Sequence, residues 1–435
     1  MQNNKRHWFL IPLISLGSLV LLALVAFFSL EYYATTVLQK EIDSHIQDIS
    51  EYVRVDYESM GVNWLAFTVD LKKVKLSKPP LPGIITIDKV AVRDFTSIGI
   101  RWIPTVVVLD NILCTNDDFK IAARRLATSF SLSRIPTEEE IGNNWKVIVD
   151  NLLAGDLNLN NLVYSDQDIQ LDVEQIKTNY SLSGGNHKNI GLAIDHSKFQ
   201  LGDVRLDSQA FQFAATLDQN NVLTHLAKKV KEFSFQFPSD LAKSNPFFEN
   251  LAALGYDRLA LGVDVNYDYQ PETKNLNLKW DTSAADIGRL QFDLHLTDYH
   301  SPPVPVDGSL ARLLNFLEQL RTPAERASLQ GFTVLYQDYG LAPRLIKAEA
   351  QSAGQTPEAF TRSLVGTINT SLAILPLPAA IKEQVNSVNR FLQNPQEIQL
   401  TITCRKPVRL NKLGEGSVAG FLELLNNTEV KITAK

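Results

Sequence analysis

The chain has 435 residues, with 42 Lys and Arg against 48 Asp and Glu, a net charge of −6 and 45% hydrophobic residues. That balance argues against a nucleic-acid partner, because phosphate binding needs a concentrated cationic face, and the length lets the chain bury its own core. The two cysteines, Cys114 and Cys404, are too few and too far apart for a disulfide scaffold. They can pair in an oxidising compartment or remain thiols, and their apolar surroundings favour two buried thiols.

Lys5 and Arg6 precede an uncharged run, Trp8–Leu30. At about 1.5 Å per residue, a helix over that run crosses a hydrocarbon core of roughly 30 Å. The run is longer than the apolar stretch of a cleaved signal peptide, and "FFSLEYYATT" after it offers no small-residue cleavage site. Residues 8–30 are therefore expected to form a transmembrane signal-anchor. Residues 1–7 stay in the cytoplasm by the positive-inside rule, and the body lies across the membrane. Leu38, Ile42, Ile46, Ile49 and Val53 recur at steps of three and four. They predict a membrane-proximal helix over residues 31–56.

The period then changes to two. In "FTVDLKKVKL" Phe67, Val69 and Leu71 alternate, and Val74 and Leu76 resume the pattern as if a bulge intervened. "IITIDKVAVRDF", "DLNLNNLVY", "DIQLDV", "QAFQFAATL" and "EFSFQF" alternate similarly. Each reads as a half-exposed strand of an antiparallel sheet. Val263, Val265, Tyr267 and Tyr269, then Leu276, Leu278 and Trp280, then Leu290, Phe292, Leu294 and Leu296, predict a three-stranded meander with one apolar side. A capping box, Thr137 with Glu140, opens a helix over "EIGNNWKVIVDNLL". Residues 57–300 thus form a β-rich body with interspersed helices. "TDYHSPPVPVDG" (Thr297–Gly308) marks a boundary. Residues 301–435 read as a helical segment with a few strands, led by "SLARLLNFLEQL" and by Phe360, Leu364, Ile368 and Leu372 at steps of four. The fold class expected is α+β: an N-terminal transmembrane helix, a mostly antiparallel, curved β-sheet body and a mainly helical C-terminal segment.

No catalytic or metal motif emerges. None of the seven histidines is followed by Glu, and there is no Gly-x-Ser-x-Gly elbow. "GEGSVAG" (Gly414–Gly420) lacks the Lys and Ser/Thr of a phosphate loop. Asp264, Asn266 and Asp268 have the spacing of the first calcium-loop ligands. Tyr269 and Asn275, however, stand where such a loop needs Gly and Glu. No catalytic residue, cofactor site or metal site is assigned, and the chain is read as not an enzyme. The candidate site is an apolar ligand face carried by Phe211, Phe213, Phe233, Phe235, Tyr267, Tyr269, Trp280 and Phe292. Such a face needs a cover: helices, a second sheet or a lipidic ligand.

The layout, with its short basic N-terminus, single anchor and amphipathic strands of the "DLNLNNLVYS" type (Asp156–Ser165), resembles the AsmA-like and YdgA-like envelope proteins. The resemblance implies a single-pass protein of the inner (cytoplasmic) membrane with its body in the periplasm. Its function would be to bind or help move lipid or another envelope component, with phospholipid or envelope proteins as partners. The alternative is a protein-binding scaffold or assembly factor in an envelope complex. The helical segment beyond Gly308 departs from the family pattern and shortens any lipid conduit.

Overall fold

The computed structural model describes residue 43 and residues 54–63, 68–77, 83–98, 101–132, 152–183, 187–236, 246–304, 326–374, 379–411 and 427–435. The chain divides into two compact units, Met1–Leu182 with Gly191–Gly202, and Ser183–Ile190 with Asp203–Lys435.

In the first unit, strands β1 (Arg54–Asp56) and β2 (Ser59–Asn63) both pair with β3 (Thr68–Ser77). From there β4 (Ile84–Ile98), β5 (Arg101–Thr115), β6 (Lys120–Leu132), β7 (Leu152–Ser165) and β8 (Ile169–Ser183) follow as an antiparallel meander. β9 (His187–Ile194) has residues in both units, and β10 (Ser197–Leu201) pairs with β8. Residues opposite each other on paired strands share a face, so the register identifies the core. Val69, Leu71, Val74 and Leu76 of β3 stand opposite Val92, Val90, Ile87 and Ile85 of β4. These in turn stand opposite Val107, Leu109, Ile112 and Cys114 of β5. All twelve side chains are buried. Each fully buried aliphatic side chain contributes about 1.5–3 kcal/mol.

The same-face residues step by two, then three, then two. That three-residue step repeats in six strands, between Leu71 and Val74, Ile87 and Val90, Leu109 and Ile112, Ala123 and Leu126, Leu159 and Leu162, and Val173 and Ile176. The skipped positions, Lys73, Asp88, Asn111, Arg124, Asn161 and Glu174, form one exposed polar line across the sheet. Lys73, Asn111 and Asn161 take left-handed backbone there, with φ of 56°, 53° and 51°. Each skipped residue stands opposite a skipped residue of the next strand, so the register is kept across the line and one face stays apolar on both sides of it.

In the second unit, β11 (Val204–Leu217), β12 (Leu223–Gln236), β13 (Arg258–Gln270), β14 (Asn275–Ala284), β15 (Gly288–Thr297), β16 (Ser328–Asp338), β17 (Glu397–Arg409) and β18 (Thr428–Ala434) pair in chain order, all antiparallel. Helix α1 (Pro246–Ala253) lies between β12 and β13. Helices α2 (Leu341–Ser352), α3 (Pro357–Ile374) and α4 (Ala379–Gln393) form one insertion between β16 and β17. Gln384 of α4 accepts a hydrogen bond from the Ile432 amide at 3.0 Å, which occupies an edge group of β18 that would otherwise template another strand. Cys114 and Cys404 are free and buried, each in the core of its own unit.

Two expectations are corrected. The C-terminal segment 301–435 is not mainly helical: β16, β17 and β18 extend the sheet through it, and the helices are an insertion. "TEVKITA" (Thr428–Ala434) is a strand that its charged alternate positions conceal. The transmembrane signal-anchor, and with it the single-pass inner-membrane localisation and membrane partner, is unsupported. Among the described residues no helix is long and apolar enough to cross a membrane, and residues 8–30 lie outside them. Two helix ends are corrected as well. The membrane-proximal helix expected over 31–56 does not reach its end, because Arg54–Asp56 is strand β1, and the helix expected over 137–153 does not reach its end either, because Leu152 opens strand β7. Apart from Asp43, the rest of these two, the helix expected at 309–320, the strand residues Trp64, Phe67 and Phe237 and the turn 414–420 lie outside the described residues.

Candidate ligand-binding face

The register of the second unit places all eight predicted aromatic residues on one face. Phe213 of β11 stands opposite Lys228 of β12, which stands opposite Val265 of β13. The row continues through Trp280, Phe292, Val334, Leu400 and Ile432, one residue per strand to β18. Phe211, Val230 and Val263 form the start of the next row. A bulge between Val230 and Phe233 then keeps Phe233 and Phe235 on this same face, opposite Leu261 and Leu259. Gly262 sits beside the bulge, where a Cβ would approach the Ser283 hydroxyl to 2.7 Å and the Lys231 carbonyl to 3.2 Å.

The reverse face is polar and internally paired. Lys229 lies 3.9 Å from Asp264, and His225 lies 2.6 Å from Asp268. The Asn266 amide donates to Asp264 at 2.9 Å. The three residues with calcium-loop spacing are therefore occupied with strand neighbours on a wet face. Arg289 holds Asp281 through both Nε and Nη2, and Gln291 adds a bond of 2.8 Å. The Arg289 hydrogen bond holds the Asp281 carboxyl below its ordinary range, against the opposing effect of burial.

The eight residues share a face but not one environment. Tyr267 and Tyr269 belong to a closed core with Leu217, Leu223, Leu276, Leu296, Tyr299 and Cys404. Tyr269 packs edge-on to Tyr299 at 5.6 Å, and the Tyr267 hydroxyl donates to Ser301 at 3.2 Å. Burial pushes the Tyr267 phenol well above its ordinary value. At the other ends of the strands, Phe235 packs on Phe248 of α1 at 5.4 Å, and Tyr336 meets Phe391 of α4 at 6.0 Å. Arg344 of α2 lies 4.4 Å over the Tyr256 ring.

Between these two closed ends the Phe213-to-Ile432 row is open in part. Trp280 is 44% exposed, and Lys228 is exposed two strands away on the same row. Phe211, Phe213, Phe233, Val265 and Phe292 are half-buried. Phe292 stacks on Phe332 at 6.2 Å. The sequence reading did not find Lys228. The alternation in "HLAKKVKEFSF" does not reveal which of Lys228 and Lys229 shares the aromatic face, because the bulge reverses the parity between Val230 and Phe233.

A family model described as "Uncharacterized protein" matches residues 281–435, from within β14 to the C-terminus. No curated protein and no solved structure matches the chain.

Proposed function

We propose that this chain is a binding protein for an amphiphile, whose acyl chain lies on the open row of the second unit's apolar face. The observation that carries this reading is Trp280: a large aromatic residue, nearly half exposed, in the middle of a row across eight strands that is apolar on all but β12. Its neighbours in the row, Val265 and Phe292, are only half-buried, so the exposed Trp280 ring belongs to a contiguous apolar patch, and such a patch supports an interaction surface. Binding there transfers apolar surface from water to hydrocarbon at about 25 cal/mol per Å². The likeness to AsmA-like proteins belongs to the same reading, and binding or moving lipid is the activity it implies. The paired polar groups of the reverse face, Arg289 with Asp281 and His225 with Asp268, keep that side wet and direct the ligand to one face only.

Mass spectrometry of lipid extracted from the purified chain tests the proposal. A reproducible acyl-bearing species, depleted in a Trp280→Asp variant that keeps its circular dichroism, is expected. A chain that carries none and takes up none when offered it overturns the reading.

A further inference from the structure

We infer that the ligand of this face carries one negative charge, a carboxylate on a long alkyl chain, seated at Lys228. The inference rests on the proposed amphiphile-binding reading and adds its head group. Lys228 stands between Phe213 and Val265 in the open row, and Val265 separates it from Trp280. Among the described residues it has no carboxylate partner, whereas the adjacent Lys229, on the reverse face, lies near Asp264. The other charged residue that the register places on this face between β11 and β18 is Asp338, and it is committed elsewhere. Its two oxygens accept from the Gly340 and Ala342 amides at 3.0 and 2.8 Å, capping α2. Among the described residues Lys228 is thus a cation without a carboxylate partner, on an otherwise apolar row.

A lysine so placed lays its methylene stem along the apolar surface and holds its ammonium at the water boundary. That geometry suits an amphiphile whose chain crosses β13, β14 and β15 and whose head ends at β12. The span from β12 to β15 is three strand spacings, about 14 Å. A single lysine provides one point charge. Phosphate groups more often draw an arginine fork or a helix N-terminus as well, and neither stands in this row. The observations therefore favour a carboxylate.

The test is displacement of a neutral fluorescent probe, Nile red, from the full chain by laurate, 1-dodecanol and dodecyl phosphate, which share a chain and differ in head group. Laurate is expected to bind more tightly than 1-dodecanol. Lys228→Gln should weaken laurate by about fivefold, the upper range for a partly exposed ion pair, and leave 1-dodecanol unchanged. Lys228→Arg should retain the preference, and Lys229→Gln should not alter it. If laurate and 1-dodecanol bind equally and Lys228→Gln changes neither, the head-group inference fails and the amphiphile reading stands. If dodecyl phosphate binds more tightly than laurate through Lys228, the carboxylate assignment fails. If none of the three binds, the amphiphile reading fails and this inference with it.

Discussion

Leu276 and Trp280 lie on the same strand and the same face, four residues apart, yet the account assigns them opposite roles. Leu276 is 4% exposed inside the closed tyrosine core, and Trp280 is 44% exposed in the open row. Leu276→Ala removes buried methyl groups from a site whose neighbours collapse only partly, which costs about 3 kcal/mol. An aromatic side chain covers roughly 150–250 Å² when buried. With 44% of Trp280 exposed, somewhat over half of that area is covered, worth about 3 kcal/mol as an upper bound. The alanine that replaces it keeps part of the burial, the denatured chain is itself partly compact, and solvent fills the space. The net cost of Trp280→Ala is therefore about 1.5 kcal/mol. The smaller deletion is expected to destabilise more. Urea denaturation followed by circular dichroism reads the difference. With a slope of about 2 kcal/mol/M, the two variants' midpoints for the second unit should differ by roughly 0.7 M. Leu276→Ala should keep laurate binding under folded conditions, and Trp280→Ala should lose it. If Trp280→Ala costs as much stability as Leu276→Ala, or more, the row over Trp280 is closed by the protein and the reasoning fails.

Three further outcomes follow from the same geometry. Gly288→Ala places a Cβ 2.7 Å from the Gln337 carbonyl and the Tyr336 ring, and should cost about 1–3 kcal/mol in urea midpoint analysis; Gly61→Ala, with nothing within 4 Å, serves as its mild control. Asn111→Val forces a β-branched residue to a φ of 53° on the exposed polar line and removes the 2.9 Å bond to Asp88. It should cost about 1–2 kcal/mol, with Asn111→Gly clearly milder. Asp281 is held below its ordinary carboxylate range by Arg289, so its stabilising contribution is present above the unfolded value of about 4 and is lost as pH falls through the lower folded one. The gap in urea midpoint between the wild-type chain and Asp281→Asn should be widest near neutrality and close on acidification; a gap that widens toward acid contradicts the assignment.

The strands of the meander were legible because Val263 to Tyr269 and Leu290 to Leu296 alternate without interruption. The line of three-residue steps through six strands was not, although its first member at Leu71–Val74 was visible. A three-residue step inside every strand breaks the period of two, and only the register shows that Lys73, Asp88, Asn111, Arg124, Asn161 and Glu174 lie in one line. The C-terminal segment misled for a physical reason. Helical spacing from Phe360 to Leu372 is a strong local signal, whereas β18 is a short edge strand with Glu429 and Lys431 at its alternate positions. Its apolar residues gain meaning only opposite Ile398, Leu400 and Ile402 of β17. At the candidate site, the period-two alternation identified the aromatic residues and their common face. Which of them sit in a closed core and which in the open row depends on Tyr299, Leu217 and Cys404, contacts distant in sequence that no periodicity reports.

The central claim is that the row through Lys228, Val265, Trp280 and Phe292 is where an alkyl chain lies. Photo-crosslinking of the chain with a fatty acid that carries a diazirine at mid-chain, mapped by peptide mass spectrometry, tests it most directly. The account predicts adducts on peptides spanning 258–270, 275–284 and 288–297, competed away by laurate. Adducts confined to other parts of the chain, or none above the level of a denatured control, would contradict it.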